Sequence, residues 1–312
     1  MRGLEIAKAY FETFGKDMLK EQFGDCADRI AAGLVGEGSE CFGYDDEVSK
    51  DHDFEPAFCL WITEEDERKF GFRLERAYAK LPKEFMGLRR QRVSPVGGGR
   101  HGVLIIEDFY RRFLGTPGAP ECAEQWLYLP ESALAAACNG EVFQDPLGKF
   151  SEVREILLKG FPEDVRKKKL AARTVLMAQA GQYNYARCVA RGERGAAQLA
   201  IFEFVKNALS AVYLLNNRYE PFYKWAYRGM RELPLLAGLE SSFVRLTETG
   251  NSPAEAGEKQ ERIEEIAEQL IAELKAQGLS RATCNNLETH AYSVMDSIRD
   301  SEIRNMHIME GV

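Results

Sequence analysis

Two acidic residues, separated by one residue, are the part of this sequence best suited to chemistry. Asp51 and Asp53 flank His52, and the apolar run 57–62 follows them. In an extended strand, alternate side chains point to the same side, so the two carboxylates would lie about 7 Å apart on one face. Such a pair repels itself unless a cation lies between, and Mg²⁺ is commonly held by one or two carboxylates together with substrate phosphates. We therefore predict that Asp51 and Asp53 bind Mg²⁺.

A glycine-serine turn lies eleven residues before the aspartates. The apolar run 29–35 is typical of a buried strand, and glycines punctuate the chain after it, ending in Gly38 and Ser39. Gly38 would let the backbone approach a triphosphate closely, and Ser39 offers a hydroxyl and an amide to phosphate oxygens. The turn and the aspartates together predict phosphoryl or nucleotidyl transfer. The alternative is that the aspartates only cap a turn in the polar loop 44–50.

The elements around these residues predict an α+β fold with two domains. Helical periodicity covers 3–22 and 64–81, and a second apolar run, 103–106, adds a strand to those at 29–35 and 57–62. This predicts a mixed sheet with flanking helices. From about residue 152 helical segments follow one another without a strand, which predicts an all-helical bundle. The predicted helices of this half are 163–191, 195–217 and 260–277. The length of 312 residues favours two domains, 1–150 and 151–312.

Composition narrows the class of protein. The net charge of -8 lacks the basic footprint of a general nucleic-acid binder, and the run from Arg166 to Lys169 is interpreted as a solvated face. The seven cysteines are scattered without C-x-x-C spacing, which predicts reduced thiols. Neither a signal peptide nor an uncharged apolar stretch of 18 residues is evident. We therefore expect a cytoplasmic protein that does not bind membranes.

The spacing of these motifs resembles a known signature. Gly38-Ser39, followed by Asp51-His52-Asp53-Phe54, is similar to the signature of the DNA polymerase β-like nucleotidyltransferase superfamily, which includes the antibiotic (aminoglycoside-type) nucleotidyltransferases. A longer likeness, to a bacterial family of unknown function within that superfamily, covers most of the chain. It rests on Trp126-Leu127 with Pro130-Glu131, residues 140–145, 161–165 and 215–219, and Lys224-Trp225. The resemblance implies a nucleotidyltransferase-type domain, then a helical domain, with the active site in the cleft between them.

The resemblance also implies a third carboxylate on a later strand, as a metal ligand or general base. Glu107, directly after the strand 103–106, is our candidate, with Asp108 and Asp145 as alternatives. Gly102 can also occupy the position of that acid, in which case nucleotide binding would persist without catalysis.

Three cations of the helical half are further candidates. The resemblance implies that Lys224, with Arg218 or Lys206, holds the triphosphate through charge-assisted hydrogen bonds. The alternative is that these cations lie at a solvated helix end, close to a C-terminal dipole.

The expected function is an enzyme reaction: Mg²⁺-dependent transfer of a nucleoside monophosphate from ATP or another NTP to a hydroxyl or amine, with pyrophosphate leaving. The acidic chain and the drug-modifying relatives favour a small cationic acceptor, such as an aminoglycoside-like antibiotic. A tRNA or protein acceptor is compatible with the same fold. The alternative from another class is a catalytically silent nucleotide-binding regulatory module. Nucleotide preference and oligomeric state do not follow from the sequence.

Overall fold

The structure is a computed structural model that describes residues 2–51, 55–90 and 99–312, with the backbone alone for Lys50 and Asp51. His52, Asp53 and residues 91–98 lie outside the described residues. The chain folds into two compact units.

Unit 1 comprises Met1–Pro120 and Ser132–Lys159, and unit 2 comprises Glu121–Glu131 and Gly160–Val312. The sequence predicts a single boundary after residue 150, whereas the chain passes between the units three times. The difference arises because the segment Glu121–Glu131 contains a short helix that packs on the first long helix of unit 2.

Helices make up most of the chain. In chain order they are α1 Gly3–Tyr10, α2 Lys16–Gln22, α3 Ser39–Phe42, α4 Glu64–Asp66, α5 Phe72–Ala79, α6 Ile106–Leu114, α7 Ala123–Tyr128, α8 Glu131–Cys138, α9 Lys149–Leu158, α10 Glu163–Met177, α11 Ala186–Ala190, α12 Arg194–Leu215, α13 Tyr223–Met230, α14 Glu240–Glu248, α15 Pro253–Ala276, α16 Leu287–Asp296 and α17 Ser301–Asn305. Short π-helical segments join α1 to α2, α4 to α5 and α10 to α11. The helices predicted over 3–22, 64–81 and 163–191 are therefore confirmed as near-continuous helical stretches.

Unit 1 is built on a four-stranded sheet and a short hairpin. The strands are β1 Ala31–Leu34, β2 Cys59–Ile62, β3 Glu84–Phe85, β4 Leu88–Arg89, β5 Gly102–Ile105 and β6 Glu141–Gln144. The sheet has the order β5-β2-β1-β6, with β1 antiparallel to both of its neighbours and β2 parallel to β5. The α+β class and the mixed sheet are thus confirmed. Strand β6 and the β3-β4 hairpin were not predicted.

The side chains of β2 alternate between the two faces of the sheet, and both faces are packed. Leu60 and Ile62 join the core that α1 and α2 complete, where Phe11 contacts the Phe58 ring at 5.2 Å. Trp61 points to the opposite face and stacks on Phe150 at 3.9 Å between ring centroids. All of these side chains are buried, and each large one contributes about 1.5–3 kcal/mol to the free energy of unfolding. The buried sheet therefore provides a rigid base for the loops at its ends.

Unit 2 consists of helices and their connecting segments, without a strand among its described residues, as predicted. Helix α12 contains the unit's longest run of buried residues, in its second half, and packs against α10, α13, α14 and α15. Along α15, five apolar residues at helical spacing are buried, which confirms the predicted apolar stripe: Ile263, Ile266, Leu270, Ile271 and Leu274. Among the described helices, α12 alone is long and apolar enough to cross a membrane, by length and composition only, and 67% of its apolar window is buried inside the protein.

The basic run at the start of α10 is buried, which corrects the prediction of a solvated face. Lys168 is 0% exposed and donates from Nζ to the backbone oxygens of His307 and Ile308. Lys169, also buried, donates to the backbone oxygen of Gly311 at 2.9 Å. Burial lowers the pKa of both ammonium groups to about 8. These lysines bind backbone carbonyls at residues 307–311, so they have a structural role.

Candidate functional site

The turn after β1 is held in a conformation that glycine alone adopts readily. Gly36 and Gly38 have φ angles of 133° and 131°, which residues with a Cβ rarely adopt. Asn139, which precedes β6, fixes this turn, because its side chain accepts from the Gly36 amide at 2.9 Å and donates to the Gly36 oxygen at 2.8 Å. The predicted glycine-serine turn is therefore a fixed feature at the carboxyl end of β1.

Two charged groups lie directly against Gly38. A Cβ built on this residue would lie 2.4 Å from Glu40 Oε1 and 2.5 Å from Arg100 Nη2. Ser39 begins the short helix α3, and its hydroxyl is 3.5 Å from Glu40 Oε2. The missing side chain of Gly38 thus makes room for a carboxylate and a guanidinium.

Arg100 and Arg112 both reach Glu37 in this turn. Arg100 Nη2 donates to the Glu37 backbone oxygen at 2.8 Å and lies 3.6 Å from Glu40 Oε1. Arg112, on α6, pairs with the Glu37 carboxylate and donates to the Gly99 oxygen at 3.5 Å. Two guanidinium groups therefore bring positive charge to the glycine-serine turn.

Glu55, which follows the predicted metal ligands in the sequence, lies at the same edge of the sheet. Asp51 ends a 3₁₀ turn, Asp53 lies outside the described residues, and Glu55 is the first described residue after it. His101 connects this segment to the turn, since its Nδ1 is 3.4 Å from Glu55 Oε1 and its Nε2 is 4.0 Å from Glu40 Oε1. Residues flanking the two halves of the predicted motif are thus neighbours in space.

The strand order explains why these residues meet. Strands β2 and β5 run parallel, with Cys59 paired to Gly102, so the residues before each strand share one edge of the sheet. Strand β1 runs antiparallel to β2, so its carboxyl end, with the turn, lies at that same edge. The ends of three strands therefore converge on the Gly38 turn.

Burial disfavours the nucleophilic thiolate form of the two cysteines near the turn. Cys41 and Cys59 are both buried, and burial raises the pKa of each thiol, to about 12 for Cys59. Cys59 Sγ lies 3.2 Å from the backbone oxygen of Arg100, and Cys41 Sγ lies 3.8 Å from that of Glu37. Both cysteines are free, as the sequence predicts, and in this setting they pack as small neutral side chains.

The three candidates for the third acid have other contacts. Glu107 lies in the first turn of α6, and its Oε2 accepts from the Glu64 amide at 3.1 Å. Asp108 pairs with Arg111 on the same helix. Asp145 accepts from the amides of Gly148 and Ser151, as expected of a turn residue. Each of these carboxylates satisfies a local donor.

The described part of the turn does not by itself complete a metal site. The side chains of Asp51 and Asp53 are not among the parts of the chain that the structure describes. Among the described residues, no group of three His, Cys, Asp or Glu side chains could hold a metal ion. Glu40 and Glu55 supply further carboxylate oxygens at this edge, and Glu40 Oε1 is buried without a hydrogen-bond partner in the part of the chain described. Oxygen donors of this kind fit Mg²⁺.

The predicted cations of the helical half all lie in unit 2. Lys206 is exposed on α12 and interacts electrostatically with Glu220. Arg218 is exposed after the end of that helix, and Lys224 is exposed on α13 with its Nζ 5.1 Å from the centre of the Trp225 ring. The structure places Gly38, Ser39 and Glu107 in unit 1, and within unit 2 it places Lys206 near an acidic pair.

Glu131 and Glu220 form this acidic pair, a second cluster of titratable side chains that the sequence did not indicate. Glu131 is 7% exposed and accepts from the Ser210 hydroxyl at 2.9 Å and from the Glu220 amide at 3.4 Å. Burial, and then the charge of Glu131, raise the pKa of Glu220 to about 8. Arg173, 3.7 Å from Glu131 Oε1, partly offsets this effect. Glu220 therefore keeps its proton at neutral pH.

Sequence reasoning missed Glu40, Arg100 and His101. Glu40 is one residue beyond the recognised glycine-serine pair, and Arg100 and His101 directly precede the apolar run that was assigned to a strand. Polar residues at the ends of neighbouring strands were the available signal, but using it required knowing which strands pair.

Comparison with known proteins gives one match. A family described as a domain of unknown function (DUF4037) matches residues 126–226, a segment that includes α8, β6, α9, α10, α12 and the start of α13. No curated protein and no solved structure matches the chain.

Proposed function

We propose that this protein is a Mg²⁺-dependent nucleotidyltransferase of the DNA polymerase β-like type. It would transfer the nucleoside monophosphate of ATP or another NTP to a hydroxyl or amine and release pyrophosphate. The observation that carries the proposal is the contact series Glu55–His101–Glu40. This series joins the segment following the aspartates to the turn of Gly38 and Ser39, as the shared site of the proposed reaction requires.

The residues of unit 1 have distinct tasks in this reaction. Asp51 and Asp53 would hold Mg²⁺, which neutralises charge on the phosphates when bound. Gly38 exposes its backbone to the triphosphate, and the Ser39 hydroxyl can donate to a phosphate oxygen. Little covalent chemistry is asked of the protein, so the rate would depend mainly on positioning and electrostatic stabilisation.

The other predictions stay as parts of the proposal. Lys224, Arg218 and Lys206 are proposed nucleotide ligands, and the bacterial cytoplasm is the proposed location. A small cationic acceptor is favoured because the chain carries a net charge of -8. A tRNA end or a protein hydroxyl is the alternative acceptor.

One observation favours a second candidate, a nucleotide-binding regulatory module without catalysis. Glu107, Asp108 and Asp145 are each engaged in helix capping, an ion pair or a turn. These contacts occupy the three carboxylates, which supports a module without a third catalytic acid. The module would bind Mg²⁺ and NTP through the same turn and aspartates, but would release no pyrophosphate.

The test is calorimetric titration of each NTP, with and without Mg²⁺, into the wild type and the Asp51→Asn/Asp53→Asn variant. We expect Mg²⁺-dependent binding that the double variant loses. Asp25→Asn is the matched control, because the Asp25 side chain is 81% exposed on the same unit. Pyrophosphate release, screened with aminoglycosides, tRNA and protein acceptors, then separates the enzyme from the silent module. The absence of NTP binding to folded wild type would refute both candidates.

A further inference from the structure

Strand β5 lies at the edge of the four-stranded sheet, and one side of its backbone has no partner strand in the described part of the chain. In that sheet β5 pairs with β2 alone. The Gly102 amide donates to the Phe58 oxygen at 3.0 Å, on the side of β2. Because successive amides of a strand point to opposite sides, those of Val103 and Ile105 point away from β2. These amides form the free edge of β5.

A groove of about 370 Å³ runs along this free edge, between helices that cover the two faces of the sheet. Leu74 of α5 packs in the same core as Leu60, on one face. Phe109 of α6 contacts the Trp61 ring at 5.8 Å, on the opposite face. Residues of α5, α6 and β5 all line the groove, so it opens at the edge of the sheet. We call it the β5 groove.

The unbalanced charge of the β5 groove is negative. Glu67 and Glu75 lie exposed on the wall formed by α5 and the π-helical segment before it, and neither has an ion-pair partner among the residues described. On the opposite wall, the charges of Asp108 and Arg112 are each balanced by a neighbouring side chain of unit 1. Lysine or arginine side chains of a partner would therefore complement the groove.

We propose that the β5 groove binds an extended basic peptide segment of a partner protein, which adds as a further strand to the free edge of β5. In strand addition, backbone hydrogen bonds supply affinity and alternate side chains supply specificity. The backbone of Val103 and Ile105 offers the hydrogen bonds, and Glu67 and Glu75 select for basic side chains. A second copy of this chain fits less well, because it would bring like charges together across the new strand pair. Nothing in the β5 groove requires a nucleotide, so the inference is independent of the proposed function.

The probe is a fluorescein-labelled peptide of alternating lysine and valine, titrated into the full chain at low ionic strength and followed by fluorescence anisotropy. We expect saturable binding. The Glu67→Gln/Glu75→Gln variant should bind about fivefold more weakly, as expected for the loss of two exposed ion pairs. Glu21→Gln/Glu155→Gln is the matched control, because it removes the same charge from exposed positions of the same unit. It should bind as the wild type does, and thermal unfolding checks that each variant is folded.

Altered peptides distinguish strand addition from a general attraction between a basic peptide and an acidic protein. Methylation of every backbone amide keeps the lysine charges but removes the donors that a strand needs, and should weaken binding at least tenfold. Equal affinity for the methylated and unmethylated peptides, or no binding to folded wild type, would overturn the proposal. Equal affinity in the wild type and Glu67→Gln/Glu75→Gln would do the same. A dimer, detected by sedimentation, that the peptide dissociates would assign the edge to a second copy and also overturn it.

Discussion

The protonation state of Glu220 gives a quantitative test of the packing in unit 2. Its carboxyl group lies beside the buried Glu131, and burial is the main cause that raises its pKa from 4.5 to about 8. The replacement Glu220→Gln keeps the size and the neutral hydrogen bonding of the protonated acid, but it cannot ionise. The variant therefore removes the ionisation of the Glu220 side chain and preserves its size and polarity.

The sign and size of the effect follow from linkage. Between pH 4.5 and 8 the folded chain keeps a proton that the unfolded chain has lost, so the free energy of unfolding falls as the pH rises through this window. Each pH unit within it costs about 1.4 kcal/mol. The contribution of Glu220 therefore falls by about 3 kcal/mol between pH 5 and pH 8.

Urea denaturation of wild type and Glu220→Gln at pH 5, 6, 7 and 8 measures this contribution. We expect the variant to gain stability relative to the wild type as the pH rises, with most of the gain present by pH 8. Glu232→Gln is the control, because Glu232 is exposed on the same unit. Parallel stability curves for wild type and Glu220→Gln would show that the Glu220 carboxyl ionises normally and would refute the reasoning.

Three further predictions concern the turn and the buried lysines. Gly38→Ala places a Cβ at φ 131° against Glu40 and should lower the free energy of unfolding by about 1–3 kcal/mol, measured by urea denaturation; unchanged stability would contradict the strain. Asn139→Ala removes both bonds to Gly36 and should cost about 1–3 kcal/mol in the same assay, whereas Ser241→Ala, which changes an exposed residue of the other unit, should not. Burial lowers the pKa of Lys168 from 10.5 to about 8, so the wild type should become more stable from pH 8 to pH 10. Lys168→Met should reduce this rise, and an equal rise in both proteins would contradict the prediction.

The sheet and the long helices were largely predictable, because periodicity reports which face of an element is buried. The runs 29–35, 57–62 and 103–106 correspond to β1, β2 and β5, and α12 and α15 lie within or around their predicted ranges. Strand β6 was missed because Glu141–Gln144 is only half-buried and lies at the edge of the sheet, where the apolar signal is weak.

The basic run of α10 shows where sequence patterns fail. Four consecutive cations are ordinarily solvated, because burying a charge without partners is costly. In this protein the backbone carbonyls of residues 307–311, about 140 positions away in the chain, accept from Lys168 and Lys169. Backbone acceptors have no sequence signature, so the burial of these lysines could not be predicted.

The candidate site was predicted in part for a similar reason. Gly38 and Ser39 were recognised from local spacing, and the structure confirms a fixed turn at that position. Glu107, our candidate for the third carboxylate implied by the resemblance, follows β5 in the first turn of α6 and accepts from the Glu64 amide, and its catalytic role stays a prediction. The order of the strands, which brings Arg100 and His101 to the turn, depends on long-range pairing that local patterns do not contain.

NTP binding and catalysis would require different residues of unit 1. The proposed NTP binding would require positive charge next to the glycine-serine turn, where the Arg100 guanidinium lies against Gly38. Activation of an acceptor needs a carboxylate near the same point, and of the described acids Glu40 and Glu55 are the ones that His101 links to the turn. Because a missing base lowers the rate but leaves ligand contacts intact, an enzyme and a silent binding module would share the same NTP affinity. The fate of the bound NTP, and not its binding, therefore decides between them.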